Sequence, residues 1–208
     1  MKNYTEIIKS LTKDDYTNKK ADLHIHTKYS DGTAEFEDII AQAKSNKYKI
    51  IAISDHNTID GHKKIQDEIL IPAVEFDVWY KYIFLHLLAY GIDINHPDMQ
   101  KFYAKSKKGT EWDIIRFFSR RNIKELISSI HKAGGIAVIA HPACCWALNM
   151  DKFIKDLKDI GLDGVEVYYP YPRWRKYMRF ASVEYIEKIA DKYNLIKTGG
   201  SDLHGVKL

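Results

Sequence analysis

The chain has 208 residues, 45% of them hydrophobic and 29% charged, which suffices for one well-filled core and a single domain. A formal net charge of +4 argues against bulk nucleic-acid coating while permitting an anionic substrate. The two cysteines, Cys144 and Cys145, are adjacent, which excludes a disulfide framework and paired-thiolate metal sites, so any metal must be held by nitrogen and oxygen.

The start, MKNYTEIIKS, lacks the pattern of a secretory leader, and no apolar run reaches the ~18 residues of a membrane span. A cytoplasmic protein with no membrane association and no stable protein partner is expected. Within residues 1–20, Tyr4, Ile7, Ile8 and Leu11 share one apolar face, so this helical segment is expected to pack back on the domain formed by 21–208. The first predicted strand, 21–25, opens the segment DLHIHTKYSDGT, in which Asp22, His24 and His26 alternate and therefore share a face. Two imidazoles side by side can chelate one metal, although His-x-His alone is more often a pair of satisfied polar side chains at a strand end. Ser30, Asp31 and Gly32 form a turn that brings Asp31 back toward that end.

A helix is predicted over 35–46 from the spacing of Phe36, Ile39, Ile40 and Ala43, with Thr33 as the capping side chain. The strand 50–53 delivers Asp55 and His56. Either Asp55 caps the following turn and His56 is solvated, or His56 is a ligand and Asp55 orients a neighbouring imidazole. The strand 69–74 is followed by Glu75, a carboxylate that needs a partner where an apolar residue would continue the run. DVWYKY leaves no room for a helix before the strand 83–90, so a hairpin is expected there; His86 inside it is as fairly a core histidine as a ligand. Residues 93–134 would form a short lid or insertion carrying Trp112, Arg116, Arg120 and Arg121, and its helix 123–132 leads into the strand 136–140. His141 follows that strand, with Pro142 biasing it to an extended backbone. Glu166 lies within the strand 164–168, helices are predicted over 152–158 and 183–193, and the strand 195–199 leads to Asp202 and His204.

Alternating strands and helices imply a mainly parallel α/β sheet, open or closed, with functional groups at the strands' carboxyl ends. Six of the nine histidines, with Asp31, Glu75 and Asp202, fall at or near such ends; His62, His96 and His131 read as ordinary surface residues. Each bland reading is fair alone, but together they are improbable. After Glu166, VYYPYPRWRKYMRF interleaves aromatics with cations, so Tyr169, Arg173, Arg175, Lys176 and Arg179 are candidate substrate contacts, aromatic faces stacking on a base and arginine forks binding phosphate.

HIHTKYSDG, SDHNTIDG, the Glu after IPAV, HLLAYGID, AGGIAVIAHP, GLDGVEVYY and GGSDLHG stand in this order from Asp22 to Gly205. On these motifs the chain resembles the PHP (polymerase and histidinol phosphatase) family, and most of all its bacterial nucleotide phosphoesterases. The resemblance implies a distorted (β/α)7 barrel with two or three divalent ions. His24, His26, Glu75 and Asp202 would hold the first, and Glu75, His86 and His141 the second. Asp31, His56 and His204 would hold a third, with Asp31 standing where other branches have histidine. Nitrogen and oxygen ligands suit Mn, Fe or Zn.

The implied reaction is attack of a metal-bridging hydroxide on a phosphomonoester or phosphodiester, of a nucleotide or short oligonucleotide, with Glu75, His56, His204 and Asp55 as the catalytic set. A sugar or histidinol phosphate phosphatase is the alternative within the family, and a non-catalytic metal-binding module the alternative outside catalysis. The segment 93–134 is shorter than the inserted domain of many nucleotide-hydrolysing relatives.

Overall fold

A computed structural model describes residues 2–170 and 180–208. In chain order the elements are α1 (Tyr4–Ser10), α2 (Lys13–Thr17), β1 (Ala21–Ile25), α3 (Phe36–Ser45), β2 (Ile50–Ile53), α4 (Asp60–Lys64), β3 (Leu70–Tyr80) and β4 (Ile83–Tyr90). There follow α5 (Pro97–Gln100), α6 (Lys108–Glu111), α7 (Asp113–Phe117), α8 (Ile123–Lys132), β5 (Ile136–Ile139), α9 (Met150–Asp159), β6 (Gly164–Tyr168), α10 (Val183–Lys192) and β7 (Ile196–Gly199). The seven strands lie side by side in sequence order. The first three are parallel, β4 runs antiparallel to both β3 and β5, and the last three are parallel again. The reversal has the cause read from DVWYKY: two residues join β3 to β4, too few for a crossover.

The ladder does not close between β7 and β1. The chain beyond β7 fills the gap, with the Asp202 N–H donating to the His24 carbonyl and the His26 N–H to the Leu203 carbonyl, both at 2.8 Å. This makes a distorted barrel. Strands β1, β2 and β5 are buried at every residue; β2 and β5 are accordingly apolar throughout, while β1 buries Asp22 and His24 among its apolar residues.

Period-two alternation explains where the polar residues emerge. On β3 one face runs Ile71, Ala73, Glu75, Asp77; opposite it on β4, Tyr90, Leu88 and His86 pair with Ala73, Glu75 and Asp77. Ile71, Ala73, Leu88 and Tyr90 belong to a buried apolar cluster with Leu23, Ala52 and Val138, and Ile8 joins it from α1, fully buried, with Tyr4, Ile7 and Leu11 packed alongside. The same face is therefore apolar over one stretch and carries Glu75, Asp77 and His86 over the next.

Among the described helices, five begin on side-chain caps: Asn3, His96, Asn122, Asn149 and Ser182 each accept a backbone N–H of the first turn. The helix α3 differs from expectation. Glu35 occupies its cap position without a side-chain bond to the first turn, and the Thr33 hydroxyl instead donates to the His204 carbonyl at 2.9 Å. A partner distant in sequence took the hydroxyl that a local reading assigned to the helix. No described helix is long and apolar enough to cross a membrane.

Candidate metal centre

Glu75 lies in the middle of β3, 1% exposed, with five imidazoles around its carboxylate. Its Oε2 is 3.1 Å from His24 Nε2, 3.1 Å from His26 Nε2 and 3.3 Å from His56 Nε2. Its Oε1 is 3.0 Å from His86 Nδ1 and 3.5 Å from His141 Nε2. Asp202 Oδ1 adds a second carboxylate, 3.2 Å from His26 Nε2 and 3.5 Å from His24 Nε2.

These contacts are close, but they are not well-formed hydrogen bonds. Both oxygens of Glu75, with His24 Nε2, His26 Nε2 and His86 Nδ1, are buried without a hydrogen-bond partner. Buried polar atoms left unpaired are costly, and a group of them facing one point is what a metal site looks like without its ion. Three sets of candidate donor atoms each lie within 4.8 Å of one another: His24, His26, Glu75, Asp202; His56, Glu75, His86; and His26, Asp31, His56, His204. All donors are imidazole nitrogens or carboxylate oxygens, a combination that fits divalent transition metals.

Charge balance supports the same fit. Burial opposes protonation of His24 and His26, yet Glu75 and Asp202, joined at His24 by Glu166, outweigh it, holding His24 well above the usual imidazole range and His26 up at about 10. His56 goes the other way, well below that range, because burial dominates and His26, His86 and Arg116 add repulsion. Burial likewise works against ionised Glu75 and Asp202, but the imidazoles keep both far below the ordinary carboxylate range. Protons on His24 and His26 thus do in the metal-free protein what cations would do in the metal-bound one.

A further set of side chains aims the inner ones. Glu166 accepts from His24 Nδ1 at 2.9 Å and from the His141 N–H at 2.7 Å, which leaves His24 Nε2 facing Glu75. Asp77, fully buried, lies 3.5 Å from His56 Nδ1 and 3.3 Å from His86 Nε2. The Tyr169 hydroxyl donates to Asp202 Oδ2 at 2.8 Å, and Asp22 accepts the Ser201 N–H at 2.9 Å. Gly200 packs so closely on β1 that an added Cβ would stand 2.3 Å from His24 Cβ and 2.5 Å from its backbone nitrogen. Gly200→Ala is therefore expected to displace His24 and weaken metal affinity by at least about tenfold, comparable to loss of an outer partner of a ligand. Metal titration against wild type checks this, and unchanged affinity would refute the packing argument.

The structure brings His24, His26, Asp31, His56, Glu75, His86, His141, Asp202 and His204 together, and several details differ from expectation. His56 groups with Glu75 and His86, the place foreseen for His141, while remaining beside Asp31. His141 is not extended: its φ of 28° is left-handed, a conformation that turns the ring toward Glu75 and the N–H toward Glu166 at the cost of local strain. Asp55 orients no imidazole directly. It accepts from the Thr27 N–H, the Thr27 hydroxyl and the Ser30 hydroxyl, each at 2.7 Å, fixing the turn that carries Asp31.

His62 is no surface residue. It is 4% exposed, with Nε2 2.7 Å from the Ile53 carbonyl, a core histidine tying α4 to β2. Arg173, Arg175, Lys176 and Arg179 lie outside the described residues. Two residues not foreseen beside the metal ligands stand there: Asp77, which the alternation from Glu75 could have found, and Arg116, foreseen only as part of the 93–134 lid. Over the centre lies a cavity of about 930 Å³, lined by His56, His86, His141 and His204 together with Phe84, Ile114, Arg116, Phe117 and Phe118.

Comparison with known families settles where such a centre belongs. The family model described as PHP domain matches residues 22–196, from the first strand to the last. The chain belongs to the PHP domain family. Among PHP relatives, an uncharacterised protein of Methanocaldococcus jannaschii is 32% identical over 74% of this chain and 84% of its own. A phosphoribosyl 1,2-cyclic phosphate 1,2-diphosphodiesterase of Eggerthella lenta is 23% identical, covering 88% of this chain and 94% of its own. A 5′-3′ exoribonuclease of Haemophilus influenzae is 24% identical over 72% and 79% respectively. A solved structure from Bifidobacterium adolescentis, assigned as a metal-dependent phosphoesterase, superposes with a TM-score of 0.71 at 22% identity, covering 89% of this chain and 87% of that one. The distorted barrel is thus a PHP fold.

Proposed function

We propose that this PHP-family metal-dependent phosphoesterase hydrolyses a phosphomonoester or phosphodiester of a nucleotide or short oligonucleotide. The observation that carries the chemistry is Glu75, a buried carboxylate with both oxygens unpartnered between two sets of imidazoles. His24, His26, Glu75 and Asp202 would hold one ion, and Glu75, His56 and His86, with His141 beside them, a second, of Mn, Fe or Zn. Bound divalent ions would supply an activated water and neutralise charge on the phosphoryl oxygens.

The chain's own groups do the rest. Glu166 and Asp77 fix the rings that face the cavity. His204, 37% exposed at the cavity, has Nδ1 2.9 Å from the Asp202 carbonyl and Nε2 3.3 Å from Asp31 Oδ1, so to pass a proton to a departing oxygen its Nε2 would turn away from that carboxylate. Buried His56, whose charged form is disfavoured, is the poorer donor.

The substrate class rests on the aromatic side chains that line the cavity. Phe117 packs on Trp79 and Phe84 at centroid distances of 4.8 and 5.2 Å yet stays 44% exposed, and Phe118 is 62% exposed. An apolar aromatic surface facing a phosphoester centre suits a base, and the two relatives act on a cyclic phosphoribosyl compound and on RNA. Phe117→Ala is expected to raise KM for a nucleotide roughly 10-fold, from a stacking contribution of about 1–3 kcal/mol, while leaving p-nitrophenyl phosphate turnover within about twofold. Equal effects on both compounds would remove the stacking role.

Release of phosphate from 3′,5′-bisphosphate nucleotides, mononucleotides and histidinol phosphate, and of mononucleotides from short oligoribonucleotides, tests the assignment. Nucleotides should lead in kcat/KM. Preference for histidinol phosphate would make the alternative phosphatase the better reading, and no turnover of any phosphate ester would end both.

A further inference from the structure

The corner of the cavity formed by His26, Asp31, His56 and His204 has the donors for a third ion, but it already contains a fixed cation. Arg116 reaches in from α7, 6% exposed, and its Nη1 donates to Asp31 Oδ2 at 2.9 Å. Its Nη2 meets Asp113, and its Nε lies 3.9 Å from Asp77 Oδ1. Arginine is rarely buried to this degree without carboxylate partners, and here three surround it. The Nε–H is itself buried without a hydrogen-bond partner while the side chain lines the cavity.

A guanidinium does not lose its proton in proteins, so this charge persists at every pH the fold survives. A divalent ion ligated by Asp31 would have to use Oδ1, the buried oxygen that Arg116 leaves unpartnered, and would sit beside a like charge fixed on the other oxygen of the same carboxylate. His204 and His26 approach Oδ1 of Asp31, at 3.3 and 3.7 Å, and His56 stands 3.7 Å from Oδ2.

We propose that Arg116 takes the place of a third metal ion: the protein binds two divalent ions, and the guanidinium on α7 is the permanent cation of the Asp31 corner. This rests on the metal-centre reading of Glu75 and its histidines. It also gives the short segment 93–134 a task other than covering the site, since its α7 supplies a charge to the centre.

Counting ions tests it without reference to turnover. Full-length metal-free protein is titrated with Mn²⁺ and the ions bound per chain are read from the loss of the free-ion electron paramagnetic resonance signal. Wild type, Arg116→Lys and Asp31→Asn should each bind two, and Arg116→Met three. Three ions in wild type, or only two in a folded Arg116→Met protein, overturns the inference. Should Arg116→Met not fold, Asp31→Asn decides: a count one lower than wild type would show that Asp31 holds an ion after all. An inactive protein that binds two ions would leave this inference intact while sinking the phosphoesterase reading.

Discussion

Glu75→Gln is expected to abolish metal binding at one of the two principal sites and weaken the other, with turnover falling by at least about 10³-fold, beyond the 10- to 100-fold typical of losing an outer partner. The side chain keeps its size and loses only its charge, so the result isolates electrostatics from packing. Five imidazoles then face a neutral amide, whose NH2 cannot ligate and repels their protonated forms. The fold should suffer as well. Breaking a buried charge cluster by removing one partner costs about 3–5 kcal/mol, and the metal-free variant should melt correspondingly lower than metal-free wild type. Elemental analysis, kinetics and thermal melting read the three effects. A variant with two bound ions and wild-type turnover would exclude Glu75 as the bridge.

The second large effect is on pH dependence, and it differs in sign between the metal-free and metal-bound protein. Metal-free, His26 is held at about 10 and His24 also well above the imidazole value of ~6.5 expected in the unfolded chain. Their contribution to stability is complete below pH ~6.5 and disappears as the pH climbs toward 10. Glu75 and Asp202, held low in the fold, contribute above their unfolded values of about 4, and lose that contribution as the pH falls. Metal-free protein should therefore be most stable between roughly pH 5 and 6.5.

Ions must displace the protons of His24 and His26, so loading at pH 8 should release up to about two protons per chain, and apparent affinity should rise by up to about 100-fold per pH unit around neutrality. Calorimetric titrations in buffers of different ionisation enthalpy measure the proton count. Binding without proton release would show that these two histidines are neutral in the metal-free protein.

The sequence exposed the strands and most of the centre because both depend on short-range rules. Strand β2 is an apolar run that leads to Asp55 and His56, and along β1 alternation placed Asp22, His24 and the following His26 on one face. The same rule was stopped too soon on β3, which continues to Tyr80; carried two residues past Glu75 it would have reached Asp77. Other features required distant partners. Thr33 serves the His204 carbonyl, 171 residues away, and Arg116 meets Asp31 across 85 residues. The left-handed turn at His141 is imposed by Glu166, against the preference that Pro142 gives its neighbour. The short helices α4 to α7, four or five residues each, carry too few turns to show a period.

The central claim is that the histidines around Glu75 hold ions that hydrolyse phosphate esters. The most direct measurement is the rate of phosphate release from a 3′,5′-bisphosphate nucleotide by one preparation, first stripped with chelator and then reloaded with Mn²⁺. Activity that vanishes on stripping and returns with the second ion bound is the predicted result. Hydrolysis that persists in the stripped protein, or that fails to appear with both principal sites filled on any phosphate ester, would contradict it.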